Sequence, residues 1–376
     1  MSSKSAGPGR DILSGMPRVG DLGIQIGGLP PGRTGSILDV PGVGVGHATI
    51  WRDEPEPPAG RGIARTGVTV ILPAEDILAR PAPAGGAVLN GCGECTGFLL
   101  MQEWGIIGTP IFLTSTMQVG RVYDAACQLI TEALPAIGEE TVIPVVAECD
   151  DSFLSEVRRM QIDAGDVAGA WQQAARSAGS AGSAAPPAEG AVGAGTGMSS
   201  LGWKSGIGTA SRLVPSGHTV GVLLLTNFGR AERLTVAGRP VGQLLPRPAR
   251  QGPDPGEGSC IGVVVTDAPL DHSACERLAR RVGLGLARTG SVADHGSGEI
   301  FLACATGMRG DREGRVQPAE PVIAGADLGP FFEAVVDASE EAVLNSLLMA
   351  PTVTGRSGHV EHAIPADAVR RILAAG

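Results

Sequence analysis

Gly258 and Ser259 form the junction at which this chain could make a nucleophile. Residues 246–258 read PRPARQGPDPGEG, a polar stretch rich in Pro and Gly, and Ser259 leads directly into the apolar run CIGVVVT. A loop tip supplies the backbone freedom that peptide-bond cleavage needs, and a buried strand start supplies rigidity. Cleavage between Gly258 and Ser259 would leave a serine at a strand end, with a hydroxyl and an α-amine on adjacent carbons. An unperturbed α-amine has a pKa of about 7.7–8.0, so it can take a proton near neutral pH. Such a residue is nucleophile and base at once, which suits acyl transfer. The same junction also reads as an ordinary loop ending at a serine.

The elements that would position a site follow from the apolar runs. Strands are expected at 67–73, 110–114, 141–148, 219–227, 260–266 and 299–305, mostly as continuous apolar segments covered on both faces. Helices are expected near 95–104, 117–134, 152–162, 273–288, 329–349 and 366–375. The helix at 273 carries a capping box, Ser273 with Glu276, then the stripe Leu278, Val282 and Leu286, and Gly290 as a stop. A strand–helix–strand crossover over 260–305 makes its two strands parallel, with their starts at one sheet edge. Ser259 opens the first of these strands, and Ser297 and Glu299 open the second. An antiparallel neighbour at 219–227 would deliver Asn227 to that same edge. A nucleophile, a proton relay and a neutral donor for an oxyanion would then stand together. Each has a plainer reading: Ser297 as a turn between glycines, Glu299 as a solvated flank, Asn227 as a turn residue.

Composition narrows the classes. The chain has 376 residues, 43% of them hydrophobic, enough for a large core. Its net charge of −10, with no basic run, argues against nucleic acid as a partner. The start MSSKSAGPGRDILSGMP lacks a secretory pattern and no apolar stretch reaches bilayer length, so a cytoplasmic protein with no membrane association is expected. Seven scattered cysteines fit reduced thiols. Cys92 and Cys95 form a C-x-x-C with no second pair to complete a zinc site, and they read as small buried hydrophobes. His359 and His362 read as surface histidines, and no metal is expected.

Two segments look like linkers, 174–190 and 246–258, but strands and helices continue across both, so residues 1–376 read as one α/β domain with insertions. The glycine loop GAVGAGTGMSS at 190–200, with Lys204 following, invites a phosphate-binding reading. It lacks the preceding strand of a dinucleotide site, and Gly202-Trp203-Lys204-Ser205 misses the spacing of a phosphate-loop lysine. Close backbone packing is the expectation there.

Over nearly its whole length the chain resembles the family of self-processing aminopeptidases that includes the L-aminopeptidase/D-amidase/D-esterases and the β-peptidyl aminopeptidases. The resemblance is carried by DVPGVGVGH (39–47), GVTVILP (67–73), LNGCGECTG (89–97), EWGIIGTPIFLT (103–114), GAVGAGTGM (190–198), GIGTASR (206–212), GSCIGVVVTDAPL (258–270), LARTG (286–290) and HGSGEIFLA (295–303). It implies a precursor cut before Ser259, giving chains 1–258 and 259–376. It also implies Ser259 as nucleophile, Ser297 and Glu299 as helpers, and Asn227 as oxyanion donor. It further implies a four-layer α–β–β–α sandwich, a homo-oligomer (typically a tetramer), no cofactor, and release of N-terminal residues from short peptides, amides or esters. The general base stays open between the α-amine and a relay through Ser297 and Glu299.

The family usually carries a tyrosine near the site, in the block that here reads VVAECDDSFL (145–154). The one tyrosine of this chain, Tyr123, lies elsewhere, and Asp150 or Asp151 takes that neighbourhood. An ionised acid donates no hydrogen bond to an oxyanion, but it attracts a substrate ammonium, so these aspartates are candidate substrate-binding residues; they equally suit caps of a helix starting near Ser152. Two other readings remain at this level. One is a self-cleaving acyltransferase of the ornithine acetyltransferase type, against which the serine speaks because those enzymes expose a threonine. The other is an inactive scaffold homologue.

Overall fold

The computed structural model describes residues 15–134, 141–178, 185–246, 258–311, 315–316 and 320–375. Fourteen strands and seven α-helices are described. The strands that build the two large sheets are β1 (Gly44–Asp53), β2 (Ile63–Leu72), β3 (Ala82–Gly91), β4 (Ile106–Ile107), β5 (Ile111–Ser115), β6 (Val145–Cys149), β9 (Ile207–Leu213), β10 (Thr219–Asn227), β11 (Ser259–Thr266) and β12 (Gly298–Ala305). Between β6 and β9 a short hairpin of β7 (Ser199–Ser200) and β8 (Trp203–Lys204) intervenes, and β13 (Val353–Thr354) pairs with β14 (Val360–Glu361). The helices are α1 (Phe98–Trp104), α2 (Val119–Ala133), α3 (Ala164–Ala178), α4 (Val241–Leu244), α5 (His272–Thr289), α6 (Gly329–Leu348) and α7 (Ala366–Ala374).

One sheet has the order β1-β2-β5-β6 and the other β4-β3-β12-β11-β10-β9. β6 packs against β10 and β11, so the two sheets meet face to face. α2 and α3 cover the smaller sheet, and α5 and α6 cover the larger. The result is the four-layer α–β–β–α sandwich. The continuous apolar run of β11 has its cause in this layering. Ile261, Val263 and Val265 enter the core between the sheets. Cys260 and Val264 enter the core beneath the helices, with Leu278, Val282 and Leu286 of α5. A strand buried on both faces has no polar alternate positions.

The expected crossover is present: β11 and β12 are parallel, joined through α5, with Ser259 opposite Gly298. α5 has a different cap from the one expected. Asp271, rather than Ser273, is the N-cap, and its side chain accepts from the Ala274 N–H at 2.8 Å. The expected helix at 152–162 is absent. There the Asp151 carbonyl closes a turn with Leu154 and Ser155, Arg158 pairs with Glu156 at 2.6 Å, and the Gln118 side chain takes the Gln161 N–H, so the chain enters α3 only at Ala164. The small residues expected as a linker over 174–190 partly belong to α3, whose Ala170 and Ala174 backbone lies against Gly44 and Gly46 of β1. Residues 179–184 of that segment, and 247–257 of the second linker, lie outside the described residues. Among the described residues no helix is long and apolar enough to cross a membrane.

Candidate active site

The site forms where β10, β11 and β12 meet at one sheet edge. Asn227, last in β10, is directly opposite Ser259, first in β11, and Ser259 is directly opposite Gly298, first in β12. The register follows from alternation: a slip of one residue would turn the inner-face residues of β11 toward the helices. Ser259, Ser297 and Glu299 are all buried. The scissile carbonyl of the expected cleavage is already held, because Gly298 N–H donates to Gly258 O at 3.2 Å.

Two glycines are required by close approach. A Cβ on Gly258 would fall 1.5 Å from the Asn227 carbonyl oxygen, so any side chain there would push the junction off the strand end. A Cβ on Gly298 would fall 2.3 Å from the Cys92 carbonyl oxygen, where the 92–93 backbone crosses the site. That packing is the place of the C-x-x-C segment: Cys92 is exposed at the rim and Cys95 is buried.

Ser297 and Glu299 act as a pair. The Ser297 hydroxyl donates to Glu299 Oε1, while Glu299 Oε2 is buried without a hydrogen-bond partner among the described residues. Burial raises the Glu299 pKa above the ordinary carboxylate value; the Ser297 hydroxyl opposes the rise, and the charge of Asp294 adds to it. A desolvated carboxyl of this kind holds its proton to a higher pH than an exposed one, which suits a proton-relay position.

The Asn227 carboxamide is oriented from both ends. Its Oδ1 accepts from Ser199 N–H at 3.0 Å, and its Nδ2 donates to Asp150 O at 2.8 Å. One Nδ2 hydrogen remains after these bonds, since an amide carries two donors. Asp150 thus reaches the site through its backbone. Its carboxylate lies in an exposed turn, accepting from Ser152 N–H at 2.9 Å and from the Ser152 hydroxyl at 2.7 Å. The Asp151 side chain is buried against Gly197. Burial pushes its pKa up to about 7, against the opposing effect of the Thr66 hydroxyl and with the help of the Asp150 charge. Tyr123 sits on α2, beside Cys127.

Sequence reasoning missed two residues of this edge. Cys149, last in β6, is buried with its thiol donating to Leu225 O at 3.6 Å, and burial raises its pKa well above the usual thiol value. Glu148 is buried with Oε1 accepting from Glu94 N–H at 2.9 Å and Oε2 accepting from the Thr116 hydroxyl. A Cβ on Gly93 would stand 3.2 Å from Glu148 Oε1 and 3.7 Å from the Gly298 Cα, so this carboxylate lies near the β11–β12 pair that carries Ser259. Burial raises its pKa, opposed by Thr116 and the Glu94 N–H and reinforced by the charges of Asp150 and Glu94. The signal was present: a lone Glu closing an otherwise apolar strand is rarely buried without a partner or a task.

Known proteins resemble this chain in sequence and in fold. The model of Peptidase family S58 matches residues 35–361. Beta-peptidyl aminopeptidase BapA of Sphingosinicella microcystinivorans is 36% identical over 95% of this chain and 92% of its own length. The PH0078 protein of Pyrococcus horikoshii OT3 superposes with a TM-score of 0.86 at 39% identity, covering 96% of this chain and 99% of that one. The L-aminopeptidase D-Ala-esterase/amidase of Ochrobactrum anthropi, described as a variant of the Ntn hydrolase fold, superposes with a TM-score of 0.84 at 34% identity over 96% of this chain and 98% of its own. With a family model spanning most of the sequence and relatives similar end to end, this chain belongs to Peptidase family S58.

Proposed function

We propose that this chain is an aminopeptidase and amidase that makes its own nucleophile by cleaving Gly258–Ser259. The observation that carries the reading is the junction itself. Ser259 follows a glycine that admits no side chain, its scissile carbonyl accepts from Gly298 N–H, and Asn227 stands across the ladder. In the self-cleavage, Ser259 Oγ attacks the Gly258 carbonyl carbon, the C–N bond breaks, and the resulting ester is hydrolysed. Chains 1–258 and 259–376 remain associated because β3, β9 and β10 from the first and β11 and β12 from the second share one sheet within a single fold.

In turnover, Ser259 Oγ attacks the substrate carbonyl. The proton passes to the new α-amine or to the Ser297–Glu299 pair, and the free Nδ2–H of Asn227 takes the developing oxyanion. We assign the substrate's terminal ammonium to Glu148, with the charge of Asp150 adding to the local field and Asp151 acting through the backbone it supports. Substrates are short peptides, amides or esters with an unblocked amine. All seven cysteines are unpaired, which supports a reducing, cytoplasmic setting. A homo-oligomer, tetrameric by resemblance, is favoured by the exposed Val88 and Leu89 of β3, which line an apolar groove with Phe98. A panel of chromogenic amino-acid anilides and esters, free and N-acylated, tests the activity: hydrolysis of free-amine substrates supports it, and turnover restricted to acyl transfer between amines contradicts it.

A further inference from the structure

Lys204 is a fully buried lysine that the reaction described above does not use. Its ammonium has three donors, and they meet three backbone carbonyls: Gly195 O at 3.1 Å, Met198 O at 2.6 Å, and Ser205 O. No carboxylate is among these partners. Glu361 and Asp151 supply negative charge at longer range, and burial pushes the Lys204 pKa down to about 7.

The Met198 carbonyl belongs to the same peptide unit as the Ser199 N–H. A continuous chain of bonds therefore runs from the ammonium to Met198 O, through that peptide to Ser199 N–H, on to Asn227 Oδ1, and from Asn227 Nδ2 to Asp150 O. A cation on a peptide oxygen draws electron density from the N–H at the other end, and bonds in series polarise one another where water is excluded. The same hairpin clasps the end of β10 at its neighbours: Leu201 N–H donates to Phe228 O at 2.7 Å, and the Ser205 hydroxyl donates to Thr226 O at 3.1 Å.

We infer that Lys204 is a positioning residue for catalysis, which fixes and polarises the Asn227 carboxamide through the Met198–Ser199 peptide so that its free N–H meets the oxyanion. Gly195 of the glycine loop, with Met198 and Ser205 beyond it, is then the seat of this ammonium. The inference rests on the reading of Asn227 as oxyanion donor.

The test compares Lys204→Met, Asn227→Ala and the double variant on enzyme whose processing has been counted by intact mass. The readouts are kcat and KM on an amino-acid anilide, the inhibition constant of the matching aminoalkyl boronic acid (a tetrahedral mimic), and the melting temperature. Loss of one oxyanion donor costs roughly 10²–10³ in kcat, and a residue acting through that donor should cost less, about 10- to 100-fold. The expected result for Lys204→Met is that fall in kcat with KM unchanged, a boronate constant raised by the same factor, and a double variant no worse than Asn227→Ala alone. Lys204→Gln keeps an N–H for a carbonyl while removing the charge, and it carries the same test if Lys204→Met does not fold. A folded Lys204 variant with wild-type kcat and boronate affinity overturns the inference, as does a loss that multiplies with that of Asn227→Ala. If Asn227→Ala itself leaves both quantities unchanged, the oxyanion reading fails and the inference with it.

Discussion

Asn227 and Ser259 face each other directly across the β10–β11 ladder. One register pair thus places a carboxamide beside the proposed nucleophile, and the flanking apolar residues of both strands enforce that register by burial. Across the other edge of β11, the Ser259–Gly298 pair brings in the Ser297–Glu299 hydroxyl–carboxylate couple. The proposed chemistry therefore rests on strand pairing.

Asn227→Ala removes the second Nδ2 hydrogen, the one not donated to Asp150 O. A transition-state donor predicts a fall in kcat of roughly 10²–10³ with little change in KM. Steady-state kinetics on processed enzyme check this, and a rise in KM at constant kcat would assign Asn227 to ground-state binding.

Glu299→Gln keeps the shape of the side chain and removes its charge. If the ionised form accepts the proton, kcat/KM falls on the order of 10²-fold. Because burial raises the pKa of Glu299, the acid limb of the wild-type pH–rate profile should lie above the ordinary carboxylate range. The variant should lose that limb. An unaltered profile in Glu299→Gln would reduce Glu299 to a structural partner of Ser297.

How far the sequence revealed this site depended on the kind of signal each residue leaves. Ser259, Asn227, Ser297 and Glu299 sit at the ends of three strands whose β-branched apolar runs stand out, and a parallel crossover has only one common hand. Glu148 and Cys149 are less legible because the run TVIPVVAE reads as a strand that begins four residues before β6 and stops one short of its end, and period alone does not say which way the last side chains point. β1, β3 and β9 are hard to read because Gly44 and Gly46, Gly85 and Gly86, and Gly208 dilute their respective apolar patterns. Those glycines are there to admit α3, α1, the backbone of α5 and, at Gly208, that of α6, a tertiary demand with no local trace. The helix expected over 152–162 failed for a related reason. The Arg158 side chain is spent on Glu156 and the Gln161 N–H on the Gln118 side chain, which stabilises an irregular turn over helical pairing.

Glu148→Gln tests the assignment of the substrate ammonium. Loss of the counter-charge should raise KM for free-amine substrates about 10-fold or more while kcat changes less. Asp150→Asn keeps an acceptor for Ser152 and should shift KM only slightly. If Asp150→Asn gives the larger change in KM, the ammonium belongs to Asp150.

Asp151 should show itself in stability. Its pKa stands at about 7 in the folded chain against an ordinary value of 3.8, so between those values the native state holds a proton that the unfolded state releases. The contribution of Asp151 to stability therefore falls as pH rises through that window and levels off above it. Asp151→Asn mimics the protonated form. The melting temperature of the variant minus that of the wild type should grow from pH 4 toward pH 7, and a difference that stays constant across this range would contradict the burial of the carboxyl.

The most direct test of the account is the intact mass and N-terminal sequence of the purified protein after prolonged incubation. Self-cleavage predicts two co-purifying chains, residues 1–258 and 259–376, the second beginning at Ser259, and an uncut, inactive Ser259→Ala. A single 38.1 kDa chain that hydrolyses amino-acid amides without ever being cut would contradict it.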